Sequence, residues 1–428
     1  MSNRHKTLSA QAQVAQRAVA VLAHRFAGRK WPLARQIKYL HTCTSVADVH
    51  AVLEPGSVPA LLYVECLHGH SQTERSRSHA ALQALLACQT DILSRPELVP
   101  AVAAICRLYH YRRRELSAWQ PQRRNAFRQL YSLVRYLFDE FGDVPGWVVE
   151  AWATGQLTQH GLDLARLTVH LGSGQSLRTF AGLPVLLTRR LEHALRQAPC
   201  EYRFLQALRY AQLADLGALA LLEPLLATRL GQETGPDDAF WLTVVTFFRD
   251  APMVDPWQFG PVCDWIHQRR TVGTDGEPPQ PGFSLKGRRM DSVLRLTTSW
   301  HRRTHRARTY WGYGLSLTTT WAGLPIADFE AYGTVWVLIT QVLGYGQLLE
   351  EGSTQKHCVS SYAYSCLRGR CGIFSLRLHG ARALTVEVRA NRQIVQLRGR
   401  ENRAATEQER YWLTQWATEA GLSFLSGA

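Results

Sequence analysis

The clearest pattern in the chain lies near its end, where three short runs alternate apolar and polar residues with a period of two, as a half-buried strand does. In Ile373–Leu378, Phe374, Leu376 and Leu378 share one side and Ser375 and Arg377 the other. In Leu384–Arg389, Leu384, Val386 and Val388 oppose Thr385, Glu387 and Arg389. The third run is less regular, with Val395 and Leu397 opposite Ile394, Gln396 and Arg398. The short turn-forming connections His379–Arg382 and Ala390–Gln393 suit antiparallel neighbours. The pattern therefore predicts a three-stranded antiparallel meander with one apolar face and one polar face that carries Ser375, Arg377, Glu387, Gln396 and Arg398. Thr406 followed by Glu409 is a capping-box signature, and Trp412, Leu413, Trp416, Ala417 and Ala420 then recur at helical spacing up to Gly421. That helix is the natural cover for the apolar face. A helix is also predicted just before the strands, with His357, Ser361 and Tyr364 on one stripe.

Upstream, apolar positions at helical spacing recur at Val14–Phe26, Ala81–Leu86, Leu130–Leu137, Leu191–Leu208, Leu213–Leu226 and Trp241–Phe248, separated by Gly, Pro or Asp. No fixed-period repeat accompanies them. The stretch 273–282, rich in Gly and Pro, cannot continue a helix and reads as a linker. The expected fold class is α+β: a mainly α-helical body over 1–272, a linker over 273–282, and over 283–428 a small unit in which helices flank the meander.

Composition changes this picture little. With 46% hydrophobic residues, thirteen tryptophans and fifteen tyrosines, a chain of 428 residues buries a large core. Met1–Ser9 is polar and the apolar positions after it are interrupted by Gln16, Arg17, His24 and Arg25, unlike a secretory signal. Leu216–Ala227, the most apolar stretch, is broken by Glu223 and Pro224 and is too short for a bilayer, so no membrane insertion is expected. Nine cysteines without a C-x-x-C pair point to reduced thiols and a cytoplasmic location.

Charge adds a partner. The net charge is +15, and 283–428 holds 19 Lys or Arg against 10 Asp or Glu. Between Lys286 and Arg308 eight basic residues stand beside one acid, Asp291, with Trp300, His301 and His305 among them. A basic segment studded with aromatic residues is the footprint of DNA or RNA binding, and equally the composition of a solvated helix face. The candidate nucleic-acid contacts are Lys286, Arg288, Arg289, Arg302, Arg303 and Arg306, with Arg400, Asn402 and Arg403 near the end of the meander.

Candidate chemistry gathers around His357. If its helix faces the polar side of the meander, His357 meets Glu387 and an arginine, Arg377 or Arg398, with Ser361 and Tyr362 alongside. An imidazole titrates near neutral pH, a carboxylate orients it, and a guanidinium neutralises developing negative charge. Glu387 with either arginine is also an ordinary cross-strand ion pair. Cys358 beside Lys356 and His357 is a weaker nucleophile candidate, since neighbouring residues on a helix point about 100° apart. His357, Cys358, Cys366 and Cys371 lack the paired short spacings of a structural zinc site, and no acidic cluster suits paired magnesium ions, so neither a metal nor another cofactor is expected.

Several of these segments together resemble the PcfJ-like family: Leu349–Gly352, His357-Cys358-Val359 with Ser361-Tyr362, Ile373–Arg377, Thr385–Glu387, and Ile394–Gly399 with Asn402-Arg403. Phe283–Arg288 and Ser299–His301 resemble the longer members. The resemblance is strongest over 283–428 and implies an association with conjugative plasmids and other mobile elements, whose proteins become possible partners. It implies no reaction. Two functions are therefore expected: a nucleic-acid-binding factor of a mobile element, or a metal-independent phosphodiester enzyme using His357, Glu387 and Arg398.

Overall fold

A computed structural model describes residues 27–274, 276–304, 315–332 and 335–425. The helix expected over Val14–Phe26 lies outside them, as does Arg306. The chain divides into two compact units, Met1–Ala211 and Gln212–Ala428, so residues 212–272, read above as part of the helical body, lie in the same unit as the sheet.

The first unit is helical around one core. The helix Ala126–Phe138 is typical: Leu130, Leu133, Val134 and Leu137 return at steps of three and four and are fully buried, and the Asn125 side chain caps the start by accepting from the Arg128 N–H. Ala81–Leu86 falls within the helix Gln72–Ala87, whose start carries a Ser71–Glu74 capping box. The periodic stretch Leu191–Leu208 is two helices, not one: Arg189–Arg196 ends ahead of Pro199 and the next begins at Phe204. Proline has no N–H to continue the ladder. Two buried indoles find acceptors, Trp147 at the Leu195 carbonyl (2.9 Å) and Trp152 at the Thr168 hydroxyl (2.9 Å).

The second unit starts with helices and ends in a sheet. Helices α1 (Asp238–Arg249), α2 (Phe259–Thr271) and α3 (Met290–Thr304) pack around Trp241, Phe248, Phe259, Trp265, Val293 and Trp300. The described residues of 273–282 contain no helix but fold back on α2: the Gln280 N–H donates to the Arg269 carbonyl (2.9 Å), and the Arg269 Nε–H donates to the Gln280 side chain (3.1 Å). Phe283 then sets its edge against Trp265.

Among the described residues the sheet has six strands rather than the three expected. They run in the order β1 (Phe329–Ala331), β2 (Val337–Gln341), β3 (Cys371–Leu378), β4 (Ala381–Arg389), β5 (Gln393–Arg398) and β6 (Ser423–Phe424). Neighbours are antiparallel except β5 and β6, which are parallel. Between β2 and β3 lie helix α4 (Tyr345–Gln355), a single 3-10 turn over Val359–Tyr362 and the short helix α5 (Ala363–Leu367).

The apolar face of the sheet, with Ile339, Phe374, Leu376, Leu384, Val386, Val388, Ile394 and Leu397, packs on Leu413, Trp416 and Ala417 of helix α6 (Glu407–Ala420). Ile394 was expected on the polar face. A register shift between Glu387 and Val388 pairs Ile394 with Val388 and Gln396 with Glu387, so Ile394 and Leu397 are both buried and Val395 is the extra residue. At the start of α6 the Thr406 hydroxyl accepts from the Glu409 N–H while the Glu409 carboxylate accepts from the Thr406 N–H (2.7 Å) and pairs with Arg403 (2.6 Å). Thr406→Ala is expected to cost about 1 kcal/mol, read as a shift in the urea midpoint of this unit. An unchanged midpoint would show that the cap contributes nothing.

Among the described residues no helix is long and apolar enough to cross a membrane.

A candidate nucleic-acid cleft and a histidine relay

The predicted helix through His357 is interrupted. It ends at Gln355, Lys356 adopts the left-handed conformation (φ 54°), and the chain re-enters helical geometry only at Val359. Lys356 thereby swings His357 off the stripe it would share with Ser361 and Tyr364 and turns it towards the polar face of the sheet.

There the imidazole Nε2 lies 3.0 Å from the Thr385 hydroxyl, which donates to Glu351 Oε1 (2.6 Å). The other Glu351 oxygen pairs with Arg382 Nε (2.8 Å), and Arg382 also reaches Glu350 (3.1 Å). The Thr385 hydroxyl has one hydrogen, and the Glu351 carboxylate, paired with the Arg382 guanidinium, takes it. The hydroxyl can therefore only accept from His357, which places the imidazole proton on Nε2 and leaves a lone pair on Nδ1. Nδ1 has no hydrogen-bond partner among the described residues. Burial holds the His357 pKa down at about 4, so the ring is neutral at pH 7. The carboxylate that His357 reaches through Thr385 is thus Glu351, and the guanidinium behind it is Arg382, not the expected Glu387 with Arg377 or Arg398.

Glu387 lies one pleat further along the same face of β4, and its partner is Tyr362, whose hydroxyl lies 2.8 Å from Glu387 Oε2 and 3.1 Å from the Val254 carbonyl. Burial raises the Glu387 pKa to about 7, and the nearby charge of Asp255 adds to the rise. A protonated Glu387 satisfies both contacts, donating to the Tyr362 oxygen while the Tyr362 hydrogen goes to Val254. Asp255, also raised by burial, to about 6, accepts from the Ser365 hydroxyl (2.6 Å) and the Trp257 N–H (2.9 Å). The Ser361 hydroxyl accepts from the Asp255 N–H (2.9 Å). Arg398 donates to the Leu397 carbonyl (3.1 Å), and Arg377 Nε has no hydrogen-bond partner among the described residues.

His357 and Ser361 line a cleft of about 910 Å³, and Arg289, Arg295, Lys356 and Asn402 line it with them. The cleft brings two of the predicted nucleic-acid contacts, Arg289 and Asn402, to two of the predicted catalytic residues. Arg289 pairs with Asp291 (3.2 Å) and Lys356 with Glu401 (2.7 Å), both pairs largely exposed. Exposed pairs of this kind are weak and exchange readily for a phosphate.

Of the other nucleic-acid candidates, Lys286, Arg288, Arg303, Arg400 and Arg403 lie apart from the cleft lining. Lys286 and Arg400 are exposed, and Arg288 packs over Phe283 and donates to the Ser284 carbonyl (3.2 Å). Arg303 donates to Ser299 (2.7 Å), and Arg403 is committed to Glu409. The backbone of Arg302 continues α3, while its side chain lies outside the described residues. Burial raises the Cys358 pKa to about 11, with Asp291 adding to it, so the thiol is not a nucleophile at neutral pH. The Cys366 and Cys371 sulfurs approach to 4.0 Å, and among the described residues no three His, Cys, Asp or Glu side chains converge as a metal ion requires.

Residues 331–412 match the family model described as PcfJ-like protein. The PcfJ-like segment is about a fifth of the chain. It runs from the end of β1 into α6 and so contains Glu351, His357, Arg382, Thr385 and Glu387, whereas Arg289 and Arg295 precede it. No curated protein and no solved structure matches the chain.

Sequence reasoning passed over Thr385, Arg382, Glu351 and Arg295. Glu351 and Thr385 both fall in segments that carry the PcfJ-like resemblance, and Thr385 alternates in phase with Glu387, which was the available signal. Asp255 carried none.

Proposed function

We propose that this protein is a nucleic-acid-binding factor of a mobile or conjugative element that holds a phosphate backbone in the cleft between α3 and α4. The supporting observation is the convergence of Arg289, Arg295 and Lys356, from two separate elements, on one cleft with the hydrogen-bonding groups of Asn402 and Ser361. Guanidinium groups suit bidentate phosphate contact, and an ammonium group adds a point charge.

The test is fluorescence anisotropy with labelled single-stranded oligonucleotides at increasing salt. Each neutralised phosphate contributes about −0.7 to the slope of log K against log salt. Replacing Arg289, Arg295 and Lys356 together by Ala is expected to flatten the slope by roughly 2. Absence of binding at low salt, or an unaltered slope in the triple variant, overturns the reading.

A second reading, phosphodiester cleavage with His357 as the base, draws on the unpartnered Nδ1. An anionic phosphate beside the ring raises its pKa towards the working range of a general base. Cleavage in the presence of chelator that is lost in His357→Ala supports it; binding without cleavage in both proteins removes it.

A further inference from the structure

We infer that the β1 edge of the sheet carries a nucleobase-stacking platform, Tyr332 and Trp336, which takes an unpaired base of a single-stranded nucleic acid while Arg377 serves the adjoining phosphate. The inference rests on the reading that the protein binds nucleic acid and adds to it a second contact region, specific for single strands.

The platform follows from strand alternation. β1 and β2 pair Phe329 with Ile339, Glu330 with Leu338 and Ala331 with Val337. Phe329, Val337 and Ile339 are buried in the core, so Glu330 and Leu338 belong to the opposite face. Tyr332 stands two residues after Glu330 and Trp336 two before Leu338, which puts both rings on that same outer face. Glu330 Oε1 accepts there from the Tyr332 hydroxyl (2.5 Å) and from the Trp336 indole N–H (3.0 Å). One carboxylate oxygen thus fixes two ring edges, and the rings lie within 10° of parallel with centroids 6.4 Å apart. Tyr332 is 77% exposed and Trp336 38%.

Rings left this open contrast with others in the chain. Elsewhere an arginine covers the ring face: Arg35 over Trp31 (4.2 Å), Arg112 over Tyr109 (4.4 Å) and Arg370 over Trp257 (3.9 Å). Among the described residues no cation lies over Tyr332 or Trp336. Glu330 already satisfies their polar edges, so the surface that remains to be covered is π surface, which suits a flat partner. In a chain of net charge +15, the flat partner that arrives with opposite charge is the base of a nucleotide. The neighbouring row of the sheet agrees. Leu338 pairs with Arg377 of β3, which places a guanidinium on the same face beside the rings, without an ion-pair partner among the described residues. The Glu330 carboxylate repels phosphate from the ring edges and so leaves the Arg377 side for the backbone. Aromatic rings on a sheet face are a recurrent way to hold splayed-out bases. In a duplex the base faces are covered by their neighbours, so the platform reads single strands.

The experiment measures the affinity of the full-length protein for three labelled DNAs of one length: a single strand, the same strand made abasic throughout, and a duplex. The abasic strand keeps the phosphates and loses the bases. The wild type is expected to bind the ordinary single strand roughly five- to 150-fold more tightly than the abasic one, the range for one stacked base. Tyr332→Ala and Trp336→Ala are each expected to shrink that ratio without altering the salt slope, and to leave duplex binding unchanged. Trp336→Phe is expected to keep most of the ratio. Arg377→Ala is expected instead to flatten the slope of log K against log salt by about 0.7. Equal binding of the two single strands by the wild type overturns the inference and leaves the cleft reading intact. An unchanged ratio in both alanine variants also overturns it, and gives the ring pair to a protein partner. Failure to bind any of the three overturns the nucleic-acid reading itself and this inference with it. Photo-cross-linking of a 5-iodouracil strand to the wild type decides the place even if a variant does not fold. A cross-link to Tyr332 or Trp336 is expected, and cross-links confined to other residues overturn the inference.

Discussion

Glu387→Gln is expected to gain stability on the wild type as the pH rises from 5 to 8. The carboxyl is buried against Tyr362 and near Asp255, and its pKa is raised to about 7. An unfolded glutamate ionises near pH 4.3. Between these values the native state holds a proton that the unfolded chain has released, so the native state loses stability as pH rises through this window, and above about 7 the full cost of a buried charge is present. A rise of this size corresponds to about 3 kcal/mol as an order of magnitude. Glutamine cannot ionise, and its amide N–H takes the place of the protonated carboxyl in donating to the Tyr362 oxygen. Asp255 and His357 also titrate in this range, Asp255 in the same direction and His357 in the opposite one, since its lowered pKa removes stability as pH falls from about 6.5 to about 4. Both are present in the two proteins and cancel to first order in the difference between them. Thermal unfolding at pH 5 and pH 8 measures it: the variant is expected to melt higher than the wild type at pH 8 by several degrees and to show little advantage at pH 5. Parallel pH profiles would mean that Glu387 is ionised in the folded protein at pH 5, with Tyr362 donating to it.

Much of the sheet unit is legible in the sequence because period-2 alternation and burial on one side are the same fact stated twice. Phe374, Leu376, Leu384, Val386 and Val388 all lie where their alternation puts them, against the helix announced by Thr406 and Glu409. The missing strands have physical explanations. β1 and β6 are three and two residues long, too short to show a period. β2, Val-Leu-Ile-Thr-Gln, belongs to a mostly apolar run that reads equally as buried strand or buried helix. The bulge at Val395 is invisible because one inserted residue changes the pairing without changing composition.

The polar face was legible too, but not its pairing. Thr385 and Glu387 are two residues apart on β4 and differ by one pleat, so the choice between them as partner of His357 depends on where the preceding chain sets the imidazole down. A left-handed residue at Lys356 sets that position, and lysine carries no special preference for it. Glycine or asparagine there would have been a signal. The cleft was less legible still, because Arg295 and Lys356 are sixty-one residues apart and only the packing of α3 brings them together.

Glu351→Ala is expected to be the most damaging single substitution in the relay, costing roughly 3–5 kcal/mol. Glu351 is 1% exposed, and its two oxygens hold Arg382 and Thr385 on the polar face of the sheet. Removing it leaves a half-buried guanidinium without its inner partner and a hydroxyl without its acceptor. Much of that cost is the stranded charge rather than the worth of the pair. Hence Glu351→Ala combined with Arg382→Met is expected to recover a large part of the loss, and a double-mutant cycle in urea is expected to give a coupling of 1 kcal/mol or more. Additive costs would show that Arg382 finds a full substitute in Glu350. The substitution also reaches the imidazole. Once Glu351 no longer takes the Thr385 hydrogen, the hydroxyl is free to donate to Nε2, and the proton moves to Nδ1. The two nitrogens are told apart by their 15N chemical shifts in a His-labelled sample. A protonated Nε2 in the wild type and a protonated or exchanging Nδ1 in Glu351→Ala is the expected pair of spectra, whereas a wild type already protonated at Nδ1 would mean that the relay runs the other way, with Thr385 donating to His357.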